Sequence, residues 1–172
     1  EGILFDIAVF TNLTRDHLDF HKTLEAYGES KATLFAMLKP GGLGVINADD
    51  PASAMMKAAC AGRFITYGES SSAEYRIMKI GVKPGKSRFG LRHHGKTDAF
   101  ETPLFGRFNV FNCAAAAAAG LGTGMRLSGV REGIRRVTRV PGRMEFWEHG
   151  GIQVIVDYAH TPDALENILG AA

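Results

Sequence analysis

The sequence of 172 residues has few cysteines, almost no excess of charge and no long apolar run. Its two cysteines, Cys60 and Cys113, are too few for a disulfide framework or a thiolate zinc site, and they favour a reducing, cytoplasmic setting. The formal net charge of +2 argues against a dedicated nucleic-acid binder. The longest apolar run, residues 113–121, is mostly alanine and too short to span a bilayer, so no membrane insertion is expected. What remains, with 45% hydrophobic and 22% charged residues, is the composition of an ordinary globular protein.

Short apolar runs alternate with helical patterns in the first part of the sequence. Buried strands are predicted at residues 7–10, 44–47 and 63–67. Helices are predicted at 23–38 and from Pro51, with Asp50 as the N-cap of the second helix. The first helix is expected to stop before Pro40-Gly41-Gly42. Strands that alternate with helices favour parallel pairing with right-handed crossovers, so the sequence predicts an α/β fold.

The pattern changes after residue 72. Residues 75–104 have the alternating spacing of antiparallel hairpins. The predicted elements that follow are a helix from about Asn109, a helix at 129–137 capped by Ser128, strands at 144–147 and 152–156, and a helix beginning at 161–163.

Residues 11–21, Thr-Asn-Leu-Thr-Arg-Asp-His-Leu-Asp-Phe-His, directly follow the first strand, at the edge where open α/β sheets bind ligands. Asp16, His17, Asp19 and His21 could ligate a metal or take part in acid–base chemistry. Spacing alone favours a simpler alternative, a polar loop whose Asp16 caps the next turn.

Lys31 lies on the apolar stripe of the first helix, four residues after Tyr27 and four before Phe35. A lysine at such a position usually extends its ammonium to solvent, and otherwise is buried for a purpose. The neighbouring loop with His17 keeps the second alternative open.

Two asparagines open the alanine-rich helix. Asn109 is a candidate helix N-cap, whereas Asn112 has no capping duty and offers the donor and acceptor that read an adenine edge. Near the end of the chain, Asp157 follows an apolar strand, where it could accept from ribose hydroxyls or serve as a turn residue. Arg143 could bind phosphate or be an ordinary surface residue.

In this order, the segments 11–21, 27–31, 47–50, 106–112, 141–145 and 157–165 resemble the Mur ligase family over nearly the whole chain. The string Asp-Tyr-Ala-His-Thr-Pro at 157–162 is similar to the MurE type within that family. The resemblance implies an ATP-dependent ligase of peptidoglycan precursor synthesis. Such an enzyme activates a carboxylate of UDP-N-acetylmuramoyl-L-Ala-D-Glu as an acyl phosphate and joins it to a diamino acid. The resemblance leaves open whether that diamino acid is meso-diaminopimelate or lysine.

The resemblance also implies roles for individual residues. His17 would ligate the second Mg²⁺, which Lys31, as a carbamylated lysine, would share. Asn112 would contact adenine, and Asn109 belongs to the same nucleotide motif.

Three residues near the end of the chain acquire roles in the same way. Arg143 would contact the phosphates of ATP and Asp157 the ribose, and His160 would lie near the peptide substrate. Lys22 departs from the glycine that the family commonly has after His21, which leaves the role of His21 open.

No G-x-x-x-x-G-K-[ST] loop is present, although the family uses one to hold phosphates. Because the chain also opens on Glu1 and carries no signal peptide, we expect a piece of a longer enzyme that is inactive alone. Residues 1–140 would be the later part of the central ATP-binding domain, with a mostly parallel sheet flanked by helices and a small antiparallel sheet. Residues 141–172 would begin the Rossmann-like C-terminal domain.

Two other classes of function compete with a ligase. One is a metal-dependent hydrolase that uses Asp16, His17, Asp19 and His21 as a two-metal site. The other is a non-catalytic α/β interaction module that binds neither ATP nor metal. Metal stoichiometry in the absence of nucleotide separates the hydrolase from the ligase.

Overall fold

A computed structural model describes residues 2–14, 23–83, 85–160 and 162–170. Its first three strands pair in parallel, as the alternation of strands and helices predicts. They are β1 (Phe5–Phe10), β2 (Leu38–Asn47) and β3 (Arg63–Gly68), connected by helices α1 (Leu24–Ala36) and α2 (Ser53–Ala59). The predicted start of α2 is wrong, because the helix begins at Ser53 and its N-cap residue is Ala52 rather than Asp50. The Thr23 hydroxyl accepts a hydrogen bond from the Ala26 N–H at 3.1 Å and caps the start of α1.

The end of α1 differs from its prediction. The helix stops at Ala36, because Leu38 already pairs with Phe5 as the first residue of β2. Residues 40–42 then lie inside the strand rather than in a loop, at a register shift after which Leu43 pairs with Ile7. Proline and glycine are tolerated there because an irregular stretch of a strand does not need every ladder hydrogen bond.

The predicted hairpins extend the sheet on its other side. The strands β4 (Tyr75–Lys83), β5 (Lys86–His93) and β6 (Lys96–Thr102) pair antiparallel with one another. Since β4 also pairs in parallel with the end of β3, a six-stranded sheet results, in the order β1-β2-β3-β4-β5-β6.

Helices cover both faces of the parallel part of the sheet. On one face, α1 and α2 enclose a core with Ala8, Phe10 and Ile46. The opposite face packs against α3 (Arg107–Gly122) and α4 (Leu127–Arg136). The alanines of α3 let it approach closely: a Cβ on Gly122 would lie 2.8 Å from Ile65 Cδ1.

The predicted cap of α4 is wrong. The helix begins at Leu127, one residue before Ser128, and Arg126 is the N-cap residue, without a side-chain cap hydrogen bond. Ser128 therefore lies in the first turn. Hydrophobic packing of Val130 and Ile134 against the core explains why the helix forms without that cap.

The remaining elements follow the prediction. The strands β7 (Glu145–His149) and β8 (Ile152–Val156) form a separate two-stranded antiparallel sheet, and α5 (Pro162–Leu169) follows them. A domain boundary at residue 140 stays a prediction. Within the described ranges, no helix combines the length and apolar character needed to cross a membrane.

Candidate functional site

The carboxyl ends of β1 and β2 are joined by the side chain of Asn47. Its amide Nδ2 donates to the Thr11 carbonyl at 2.7 Å, and its Oδ1 accepts from the Asp49 N–H at 3.0 Å. Asn47 is buried, and both ends of its amide have a partner. This residue therefore fixes the loop in which residues 11–14 leave the sheet.

Two aspartates after β2 bind neighbouring loops through backbone N–H groups. Asp50 accepts from Leu13 N–H and Ala52 N–H, both at 2.8 Å. Asp49 accepts from Glu69 N–H at 2.6 Å and from Ser70 N–H at 2.8 Å. Through these charge-assisted hydrogen bonds, the two aspartates connect the end of β2 to the loops that follow β1 and β3.

The side chain of Tyr67, in β3, connects this strand to the end of β1. Its hydroxyl donates to the Phe10 carbonyl at 3.3 Å, and its side chain is fully buried. Burial, reinforced by the carboxylates of Asp49 and Asp50, raises the pKa of Tyr67 above its ordinary value. The phenol therefore remains protonated and acts as a hydrogen-bond donor. No role for Tyr67, Asn47 or Asp49 can be read from the sequence, because most of the groups that they bond lie in distant segments.

A cavity of about 800 Å³ opens above these strand ends and reaches the start of α3. Its walls include Thr11, Asn12, Asn47 and Tyr67 from the sheet side, and Gly106, Arg107, Phe108, Phe111 and Asn112 from the helix side. Gly106 has a φ of +100°, and a Cβ there would lie 2.8 Å from Phe108 Cε1. The turn into α3 thus requires glycine at this position.

The two asparagines of α3 have different environments. Asn112 is exposed and lines the cavity. Asn109 is buried; its Nδ2 donates to the Phe105 carbonyl at 2.7 Å, and its Oδ1 lies 3.5 Å from Asn112 Nδ2. The N-cap alternative for Asn109 is wrong, because Gly106 is the N-cap residue. Asn109 instead contacts the side chain that faces the cavity.

Arg143, Asp157 and His160 gather around Tyr158. The Arg143 guanidinium carbon lies 5.5 Å from the centroid of the Tyr158 ring, and the His160 ring lies 5.1 Å from it. Asp157 accepts from the N–H groups of Met144 at 2.8 Å and Ala159 at 2.7 Å. These contacts hold Asp157 beside the segment that carries Arg143.

A second cavity, of about 340 Å³, is shared by Arg143 and Asn109. Arg143 lines it together with Asn109 and Trp147. The structure thus brings Arg143 and Asn109 to one cavity and Asn112 to the other.

Lys31 lies at the margin of the buried face of α1. The centre of that face is formed by Gly28, Ala32 and Phe35, whereas Lys31 is half-buried, as is Tyr27. Its Nζ lies 4.7 Å from the centroid of the Tyr27 ring, a cation–π contact. The ammonium is thus neither deeply buried nor fully extended into solvent.

The histidine and aspartate cluster of the sequence analysis, at positions 16, 17, 19 and 21, lies outside the described residues. Within the residues that are described, no group of three His, Cys, Asp or Glu side chains could hold a metal.

Comparison with known proteins identifies the class to which this fold and site belong. Residues 1–120 match the Mur ligase middle domain. UDP-N-acetylmuramoyl-L-alanyl-D-glutamate--2,6-diaminopimelate ligase of Geobacillus thermodenitrificans is 44% identical over 175 residues, which covers 98% of this chain and 36% of that protein. The chain therefore belongs to the Mur ligase family.

Solved structures agree with this assignment. A structure of UDP-N-acetylmuramoyl-L-alanyl-D-glutamate--2,6-diaminopimelate ligase has a TM-score of 0.78 at 37% identity, covering 96% of this chain and 35% of that one. The MurF ligase of Thermotoga maritima in complex with ADP shares the fold, with a TM-score of 0.82 at 20% identity. That match covers 98% of this chain and 39% of the MurF chain. The chain spans about a third of the length of the curated relatives it matches.

Proposed function

We propose that this chain is part of an ATP-dependent ligase that adds a diamino acid to UDP-N-acetylmuramoyl-L-Ala-D-Glu through an acyl phosphate, in the cytoplasmic synthesis of peptidoglycan precursors. The observation that carries the proposal is the 44% identity to a ligase of that name across 98% of the chain. Because the curated relatives are named for 2,6-diaminopimelate, we propose that diamino acid rather than lysine.

The cavity at the start of α3 is suited to a purine base. Asn112 presents an amide with both a donor and an acceptor, the pair that reads the adenine edge. Phe108 and Phe111 supply apolar and aromatic wall on the same side. The contact between Asn109 and Asn112 supports the proposal that Asn109 orients the reading side chain.

Arg143 and Asp157 are proposed to bind the phosphates and the ribose of ATP. Each oxygen of the Asp157 carboxylate accepts one backbone N–H and retains a second lone pair for a hydroxyl. Arg143 is exposed, and its planar guanidinium suits phosphate oxygens. We assign His160 to the vicinity of the peptide substrate.

Mg²⁺, when bound, would neutralise charge on the transferring phosphoryl group. We propose His17 and carbamylated Lys31 as its ligands in this chain. The half-buried position of Lys31 fits this role, since its Nζ remains reachable by carbon dioxide. A carbamate is an anion, and the face of an aromatic ring carries partial negative charge. Carbamylation of Lys31 would therefore remove the cation–π contact with Tyr27.

The proposal is tested in the complete protein that contains this chain. Asn112→Ala is expected to raise the KM for ATP about five- to ten-fold, because it removes a hydrogen-bonding group worth on the order of 1 kcal/mol. The KM for the UDP-linked dipeptide should not change.

Asn112→Asp is the matched variant, because it keeps the size and the acceptor oxygen but removes the donor. It should weaken ATP binding as well. If both folded variants keep the wild-type KM for ATP, Asn112 does not contact the base. If the unaltered protein forms no amide bond between the UDP-linked dipeptide and diaminopimelate, the proposed reaction is wrong.

A further inference from the structure

Positive charge is concentrated in one part of this nearly neutral chain. Residues 75–139 contain thirteen lysines and arginines but three acidic residues, whereas the whole chain carries a formal net charge of +2. This segment comprises the hairpin strands β4–β6 and the helices α3 and α4. A local excess of this size attracts anions to that side of the molecule.

A cleft of about 950 Å³ lies within the basic region, between the hairpin strands and α4. Its charged lining residues are Lys79, Arg88, Arg131 and Arg135, with Glu101 and Glu132. None of its lining residues belongs to the cavity beside Asn112. The cleft is therefore a separate feature of the fold, and its volume is in the range of small-molecule sites.

The two acidic side chains of the cleft already have cationic partners. Glu101 is held by Lys86 and Arg88, both at 2.9 Å, and these hydrogen bonds lower the pKa of its carboxyl. Glu132 Oε1 accepts a hydrogen bond from Arg136 Nε at 2.8 Å. Neither carboxylate is thus left to neutralise the other cations that face the cleft.

Two of those cations lack an ion-pair partner. Arg131 is held by Asp98 at 3.1 Å and donates to the Ala99 carbonyl at 2.9 Å. Lys79 and Arg135 make no ion pair with any residue that the structure describes. They come from β4 and α4, and so approach the cleft from different elements.

Lys79 faces the cleft because β4 is irregular at this point. Met78 pairs with Gly90 and Gly81 pairs with Arg88, so Lys79 and residue 80 together oppose a single residue of β5. Lys79 has a φ of +52°, the left-handed region that a lysine rarely adopts. Such a bulge redirects a side chain, and from this bulge Lys79 lines the cleft.

We propose that this cleft binds a small phosphate-bearing anion through Lys79 and Arg135, with the hydroxyl of Ser128 at its wall. Because Lys79 and Arg135 come from two different elements that line the cleft, they suit a ligand that carries several negative charges along its length. A polyphosphate chain has that form, and guanidinium and ammonium groups are its usual partners. This inference does not depend on the proposed ligase reaction.

The test is a titration of the 172-residue chain with inorganic tripolyphosphate at low ionic strength, followed by calorimetry. Lys79→Gln and Arg135→Gln are each expected to weaken binding of tripolyphosphate about three- to five-fold. This is the upper end of the affinity that one exposed ion pair contributes. The double variant should weaken it at least about ten-fold. Circular dichroism verifies that each variant is folded.

Arg92→Gln and Lys96→Gln are the matched controls, because both residues are exposed in the same basic segment and neither lines the cleft. Binding should stay within about 1.5-fold of wild type in both. Arg143→Gln is measured beside them, because Arg143 is the residue proposed to bind the phosphates of ATP. Equal losses in cleft and control variants would mean a diffuse electrostatic effect and overturn the proposal. Loss confined to Arg143→Gln, absence of tripolyphosphate binding, or preferential binding of a short RNA duplex that depends equally on Arg92 and Lys96 would also overturn it.

Discussion

Asp50 offers the sharpest test of how the site is assembled. Asp50→Ala removes the two hydrogen bonds, each 2.8 Å long, that tie Leu13 to the start of α2 through Ala52. Hydrogen bonds to a charged acceptor contribute about 1.5 to 3 kcal/mol each when buried, and less at this partly buried position. We therefore expect the free energy of unfolding to fall by about 2 kcal/mol.

The measurement is urea denaturation of the 172-residue chain, followed by circular dichroism. Asp6→Ala is the matched control, because it removes a carboxylate whose ion pair with Lys39 is exposed, and it should change the free energy of unfolding by less than about 0.5 kcal/mol. Asp50→Asn keeps an acceptor oxygen and should recover about half of the loss. If Asp50→Ala is no more destabilising than Asp6→Ala, the bonds to Leu13 and Ala52 do not hold this loop in solution.

Three further predictions concern chemistry and pH. The 172-residue chain alone should release no phosphate that depends on ATP, UDP-linked dipeptide and diaminopimelate together, because no segment of it replaces a phosphate-binding loop; substrate-dependent release would refute this. In the complete protein, Lys31→Ala should abolish activity, and short-chain carboxylates should restore part of it where amines do not. Rescue by amines alone would exclude a carbamate. Because burial raises the pKa of Tyr67, the folded state keeps a proton that the unfolded state loses above about pH 10, so stability should fall as pH rises from there, by up to about 1.4 kcal/mol per pH unit. Tyr67→Phe should remove that part of the slope in denaturation measured between pH 9 and 12, and an unchanged slope would contradict it.

The order of strands and helices could be predicted from local patterns. Apolar runs gave β1, β2 and β3, and alternation gave the hairpins, because side chains on a strand or helix repeat with a fixed period. The predictions that were wrong concern positions where a distant contact prevailed. Residues 40–42 join β2 since Leu38 pairs with Phe5, and α4 forms by packing rather than through a cap at Ser128.

One residue that the sequence singled out, Asn112, lies on a cavity wall. The motif around Asn112 was found because the residue has no local duty in its helix, and the structure places it on a cavity wall. The roles assigned to seven residues stay predictions: His17, Lys31, Asn109, Asn112, Arg143, Asp157 and His160.

The sequence by itself determined the class of fold and the family, since both depend on periodicity and on motifs that are read along the chain. The tertiary structure alone decided which polar groups meet. Leu13 and Asp50 are 37 residues apart, and Tyr67 and Phe10 are 57 apart. Lys79 and Arg135 likewise share a cleft only because a bulge in β4 and the docking of α4 bring them to it. Hydrogen bonds and ion pairs act over a few ångströms, so their partners are fixed by packing and not by distance along the chain.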